Sequence, residues 1–279
     1  MNKILIFVVL LAITQTLSAQ DKCCMMPKQA SFASFAVEDE FIRAHAEPIA
    51  FRATGLAGTT ISFAVGTDAK GSAYFVKSEK HPNKVILLFH EWWGLNDYIK
   101  TTADNLSKEL EVSVCAIDLY DGKVASKREE ASVYIQALKP ERAKAIIDGA
   151  IAYFGKDIRF GTIGWCMGGS WSQEAALRSG KQCDACVIFY GMPELDVTRL
   201  KELHAPVFGF FATKDKWITP KVVSDYQEAM RKSGKQLSVR NYEADHAFAN
   251  PSNPDHNAEA TEDSHRFAVD FFKRKMRLF

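Results

Sequence analysis

Apolar and polar positions along the chain alternate between two periods, and the switches between them predict the elements. Residues 60–65 and 73–76 read as a strand pair around the turn residues Asp68 to Gly71. Residues 85–89 (VILLF) form an unbroken apolar run bounded by Pro82-Asn83 and a polar loop, the pattern of a strand covered on both faces. A helical period follows over 98–110, then a strand over 112–117. A helix over 127–138 stops at Pro140, which opens another running to 154. The remainder reads as strand 160–163, helix 167–179, strands 185–190 and 207–211, helix 220–233, strand 237–242 and helix 258–276. Strands alternating with helices imply an α/β fold, a mostly parallel central sheet with helices on both faces. No linker composition divides residues 49–279, which are expected to form one domain.

The start of the chain follows a different rule. Lys3 precedes the apolar run ILIFVVLLAI, and residues 14–19 (TQTLSA) turn small and polar. That layout predicts a secretory signal peptide over 1–19, and with it a periplasmic or extracellular protein. The run is too short for a comfortable membrane span, which takes roughly 20 apolar residues. Residues 20–48 lack a clear period and are expected to be an N-terminal extension or a loosely docked arm.

Charge narrows the function. Lys and Arg total 35 against 34 Asp and Glu, so neither a nucleic-acid surface nor a stable membrane association is suggested. An apolar fraction of 47% is ample for a packed core.

Chemistry in such sheets collects at the carboxyl ends of the strands. There Gly164-Trp165-Cys166-Met167-Gly168 matches a G-x-nucleophile-x-G elbow with cysteine as the nucleophile. The turn is too sharp to admit Cβ atoms two residues either side, and the helix start favours a thiolate. Asp215 follows strand 207–211 and His246 follows strand 237–242, giving the chain order nucleophile, acid, histidine. His246 would carry the proton and Asp215 would orient the ring. Asp245 is a rival acid, disfavoured because adjacent side chains seldom face each other.

These segments resemble the dienelactone hydrolase family, α/β-hydrolases whose elbow reads G-x-C-x-G-G and is present here as GWCMGG. HEWWGLN at 90–96, DLYDGK at 118–123, the ATKD segment ending in Asp215, and DHAFANP at 245–251 extend the likeness from about residue 55 to the end. The resemblance implies a carboxylic ester or lactone hydrolase needing no cofactor, with Cys166, Asp215 and His246 as triad and Glu91 assisting thiolate formation. It implies an oxyanion hole from the backbone N–H groups of Met167 and Trp92. Dienelactone-cleaving members clamp a substrate carboxylate with arginines. Arg128 aligns with one of them, whereas Asn250 stands at the position of another, four residues past the histidine. Half the clamp is thus missing. Trp93, Trp165 and Trp217, with Trp92, lie beside these segments and suggest an aromatic-walled pocket.

The other thiols leave a second reading, a redox or soft-metal module. Cys23-Cys24-Met25-Met26 offers ligands suited to copper(I). Cys183 and Cys186 would lie ~10 Å apart on an extended strand and bridge only if Cys183 turned back in the preceding loop. Cys115 reads as core. No zinc spacing is present, so no metal is expected in catalysis.

Overall fold

The computed structural model describes residues 28–279 apart from residue 255. The expected signal peptide and Cys23-Cys24 therefore lie outside the described residues. Eight strands make one sheet: β1 (Thr59–Val65), β2 (Ala69–Val76), β3 (Lys84–Phe89), β4 (Ser113–Asp118), β5 (Arg159–Trp165), β6 (Cys183–Phe189), β7 (Val207–Ala212) and β8 (Leu237–Tyr242). Their spatial order is β1-β2-β4-β3-β5-β6-β7-β8. The pairs β1/β2 and β2/β4 are antiparallel, and every pair from β4 to β8 is parallel.

Burial explains the run-length pattern. All residues of β4 and β7 are buried, as are those of β3 after Lys84, because helices cover both faces. Strand β8 lies at the edge, and its residues are half-buried or exposed. Helices α3 (Asp97–Leu110) and α9 (Ala258–Lys275) pack together on one face. Helices α5 (Pro140–Phe154) and α6 (Met167–Ser179) pack on the other, with α4 (Arg128–Ala137) nearby; α7 (Val197–Leu200) contacts α8 (Pro220–Ser233). Side-chain caps set several helix starts: Asn96 accepts from Ile99 N, Thr219 from Val222 N and Asn257 from Ala260 N. Among the described residues no helix is long and apolar enough to cross a membrane.

Three expectations change. The β1/β2 turn is tighter than anticipated, with Val65 opposite Ala69, so residues 69–71 belong to the strand. The four-residue helix α7 was not anticipated, being too short to show a period. The largest change is at the N-terminus, where residues 28–48 are not a loose arm. They hold α1 (Lys28–Phe35) and α2 (Asp39–Ala44), with Phe32, Ala36, Phe41 and His45 buried. Ser132 Oγ donates to Ala36 O at 2.6 Å, fastening the arm to α4. Farther on, Ile49 N donates to Ser252 O and Ala57 N to the Asp104 carboxylate, so the chain is held along its way to β1.

The direction of sheet growth reverses at β3, with β4 on one side and β5 on the other. The crevice outside the carboxyl ends of such a pair is where α/β sheets bind ligands. Glu91 follows β3 there and Cys166 follows β5.

Candidate active site

Backbone contact builds the turn at Cys166. The residue has φ 54 and ψ −123, a conformation that costs energy for any side chain. A Cβ on Gly164 would sit 2.1 Å from Gly168 O. One on Gly168 would sit 2.3 Å from Phe89 O and 2.4 Å from His90 O. The start of α6 thus presses directly onto the end of β3, which only glycine permits. Gly169 sits likewise against Phe189 O and Gly191. This close approach brings the Met167 N–H, which is directed at the Cys166 sulfur, next to the chain segment carrying Glu91 and Trp92.

His246 joins the other two expected side chains. Its Nε2 lies 3.2 Å from Cys166 Sγ and its Nδ1 lies 2.6 Å from Asp215 Oδ2. The second Asp215 oxygen accepts from Trp217 N and Ile218 N, both at 2.9 Å, which locks the carboxylate's orientation. Burial works against a charged His246, yet the Asp215 carboxylate and the Cys166 sulfur hold the ring well above the usual imidazole range. Asp215 stays below its ordinary value: burial would raise it, but the His246 ring and the backbone donors more than offset that. Burial pushes the Cys166 thiol up, His246 pulls it back, and the Glu91 carboxylate raises it further.

Glu91 is buried and doubly held. Tyr190 Oη donates to Oε1 at 3.0 Å, and the Asn250 side-chain amide donates to Oε2. Asn250 is itself oriented, because its Oδ1 accepts from both the backbone N and the hydroxyl of Ser252. Burial raises the Glu91 carboxyl to about 7, against smaller lowering effects from Tyr190 and His246. His90, also fully buried, contacts Glu91 O through Nδ1 at 2.6 Å and accepts from Leu119 N through Nε2. Those partners require the neutral tautomer with the proton on Nδ1, and burial lowers the ring's affinity for a second one.

A cavity of about 140 Å³ opens beside this group, with Glu91, Trp93, Trp165, Phe189 and Asn250 in its wall. Cys166 is only 1% exposed and is not among the lining residues. Two of the expected substrate contacts do not line this cavity. Trp217 turns its ring into a cluster with Phe41 and His45 and packs edge-on to His246. Arg128 starts α4 with its nearest carboxylate, Glu129, at 4.0 Å, and does not reach the cavity wall. Cys183 opens β6 instead of turning back in a loop, and it forms no disulfide with Cys186. Among the described residues Cys115, Cys166, Cys183 and Cys186 form no disulfide. Cys115 is core, as expected.

Sequence reasoning missed His45. It ends α2, is buried among Phe41, Trp92 and Trp217, and stands with its ring centre 5.4 Å from that of His246. The arm therefore roofs the Cys166–His246 pair. Burial, reinforced by the charge of His246, lowers His45 to about 3, so the ring is neutral. A histidine inside an aperiodic segment carried no signal beyond the flanking Phe41.

Several known proteins are similar to this chain. The family model described as the dienelactone hydrolase family matches residues 72–276. A carboxymethylenebutenolidase from Pseudomonas sp. (strain P51) is 26% identical over 225 residues, covering 74% of this chain and 93% of that protein. Protein usf from Aquifex pyrophilus is 27% identical over 213 residues, covering 71% and 91%. Among solved structures, a dienelactone hydrolase-like promiscuous phosphotriesterase from metagenomic libraries superposes with a TM-score of 0.67 at 21% identity, covering 78% of this chain and 99% of that one. The dienelactone hydrolase of Anabaena variabilis ATCC 29413 gives 0.56 at 17% identity, covering 78% and 97%. Those two likenesses concern the fold.

Proposed function

The chain belongs to the dienelactone hydrolase family, and from that premise we propose that it is an exported enzyme cleaving a carboxylic ester or lactone through an acyl-enzyme on Cys166. The observation that carries this reading is the continuous relay from Cys166 Sγ through His246 to Asp215, at 3.2 and 2.6 Å. The apolar N-terminal run supports export.

In this mechanism His246 Nε2 takes the thiol proton as sulfur attacks the acyl carbon. Asp215 stabilises the imidazolium and holds its Nδ1 proton. The backbone N–H groups of Met167 and Trp92 receive the oxyanion, a contribution of roughly 10²–10³ in rate per donor. The imidazolium then protonates the leaving alkoxide, leaving a thioester. Water, deprotonated by His246, attacks that thioester, and the departing sulfur regains its proton. Glu91 lies near the thiol with a carboxyl poised near neutrality, so it can relieve its own repulsion of the thiolate by taking up a proton. Asn250 serves by holding Glu91.

The cavity beside Glu91 favours an uncharged ester or lactone as substrate. Trp93, Trp165 and Phe189 give the cavity an aromatic wall, and neither lysine nor arginine lines it. The test is burst and steady-state hydrolysis of a p-nitrophenyl ester by the wild type and Cys166→Ala. A burst equal to the enzyme concentration that vanishes in the variant supports the acyl-enzyme route. Turnover surviving the substitution rejects Cys166 as the nucleophile.

A further inference from the structure

The roof over the thiol has a chemistry that hydrolysis does not use. His45 Nδ1 lies 2.7 Å from Phe41 O, so that nitrogen carries the ring's proton and Nε2 is a bare lone pair. Nε2 is buried and has no hydrogen-bond partner. An unsatisfied buried acceptor costs roughly 1–3 kcal/mol, and such an atom calls for an explanation. One is close by. His45, Cys166 and His246 each offer one ligand atom, and these atoms lie within 4.8 Å of one another.

We propose that His45, Cys166 and His246 form a reversible binding site for a borderline-soft divalent cation, Zn²⁺ foremost, contributed jointly by the N-terminal arm and the catalytic pair. Two imidazole nitrogens and a thiolate are a donor set that zinc binds well, with the fourth position open to water. The outer partners are also in place. Asp215 holds Nδ1 of His246, and the Phe41 carbonyl holds Nδ1 of His45, so both rings present the other nitrogen to the site. Zinc–nitrogen and zinc–sulfur bonds of roughly 2.1 and 2.3 Å require donors to approach within about 3.5 Å. The Cys166–His246 pair already meets that at 3.2 Å, so His45 alone has to close in.

Binding makes sulfur–metal and nitrogen–metal bonds and breaks the hydrogen bond between Cys166 and His246. The proton the pair shares leaves to solvent, and no electron is transferred. Since the sulfur and His246 Nε2 are then both occupied, the cation switches the hydrolase off. That consequence rests on the proposed function; the binding itself does not.

Cobalt(II) titration of the chain tests this, in a Cys23→Ser, Cys24→Ser background so that the N-terminal thiols contribute nothing. The expected result is a saturable one-to-one thiolate-to-cobalt charge-transfer band with the visible bands of tetrahedral coordination, displaced by Zn²⁺ and lost in Cys166→Ala. His45→Phe, which keeps a ring in the aromatic cluster, is expected to weaken cobalt binding by at least about tenfold. Zn²⁺ is expected to inhibit ester hydrolysis reversibly, with EDTA restoring it. Absence of the band, or equal affinity in His45→Phe, overturns the site. A cobalt site without ester turnover rejects the hydrolytic reading alone, and turnover without a cobalt site rejects this one alone.

Discussion

Asn250 donates its side-chain amide to the Glu91 carboxylate across a sequence separation of 159 residues. The contact ties the loop after β8 to the end of β3. It also occupies the position that the sequence resemblance associated with an arginine clamp. The amide satisfies one oxygen of Glu91 without neutralising its charge, so burial still dominates and the carboxyl rests near 7.

That raised value has a consequence for stability. In the unfolded chain Glu91 titrates near 4.5 and in the fold near 7, so between those limits the folded state binds more protons. Stability therefore falls as pH rises from about 4.5 through 7. Glu91→Gln removes this dependence. At pH 8 it should gain up to about 3 kcal/mol relative to wild type, reduced by whatever the Tyr190 and Asn250 donors lose. The gain should vanish below pH 4.5. Urea unfolding of both proteins at pH 4 and pH 8 measures it; a difference independent of pH contradicts the assignment.

Asp215→Asn presents an amide to His246 Nδ1 and favours the wrong tautomer. Hydrolysis should drop by roughly 10²–10⁴-fold in kcat with little change in KM. A loss shown mainly in KM would place Asp215 outside the proton relay.

The roof should respond to acid. His45 is neutral in the fold, with its affinity for a proton depressed to about 3 from 6.5. Docking of the arm is thus at full strength above pH 6.5 and weakens as pH falls through it, by about 2 kcal/mol at pH 5. The groups facing the ring are Phe41, Trp92, Trp217, His246 and, farther off, Asp215, whose charge opposes the effect only in part. Tryptophan emission should change between pH 7 and 5, and His45→Phe should abolish that change.

Gly168→Ala would push a methyl group into the carbonyls of Phe89 and His90 at 2.3 and 2.4 Å. Backbone on both sides leaves little room to yield. The variant should lose at least about 3 kcal/mol of stability or fail to fold. A soluble variant with an unchanged melting temperature would mean that the elbow is looser than described.

Much of the sheet was legible because buried strands announce themselves: VILLF at 85–89 needs covering on both faces, and β3 has it. The nucleophile turn was legible because glycine spacing reports a steric demand that the would-be Cβ contacts bear out. Cys166, Asp215 and His246 were placed by their positions after β5, β7 and β8, and they do meet. The substrate contacts were less legible. Adjacency to a motif says where the backbone lies and not which way a ring points, so Trp165 lines the cavity while Trp217 packs behind His246. Arg128 could not be judged at all without knowing how α4 is set. Least legible was the arm, where alanine and serine dilute the pattern to a few aromatics. Its partners, Trp92 and Trp217, lie far along the chain.

The positions of the relay residues also bear on when the thiol acquires its neighbours. Cys166 leaves the ribosome well before Asp215 and His246, and the strand that supports Glu91 was made earlier still. Because α6 seats on β3 while the base comes from beyond β8, no truncated or half-folded chain holds an imidazole 3.2 Å from that sulfur. Until His246 arrives, the cysteine lacks its general base. The relay through His246 and Asp215 forms only when the last third of the polypeptide docks, so it also marks a completed fold.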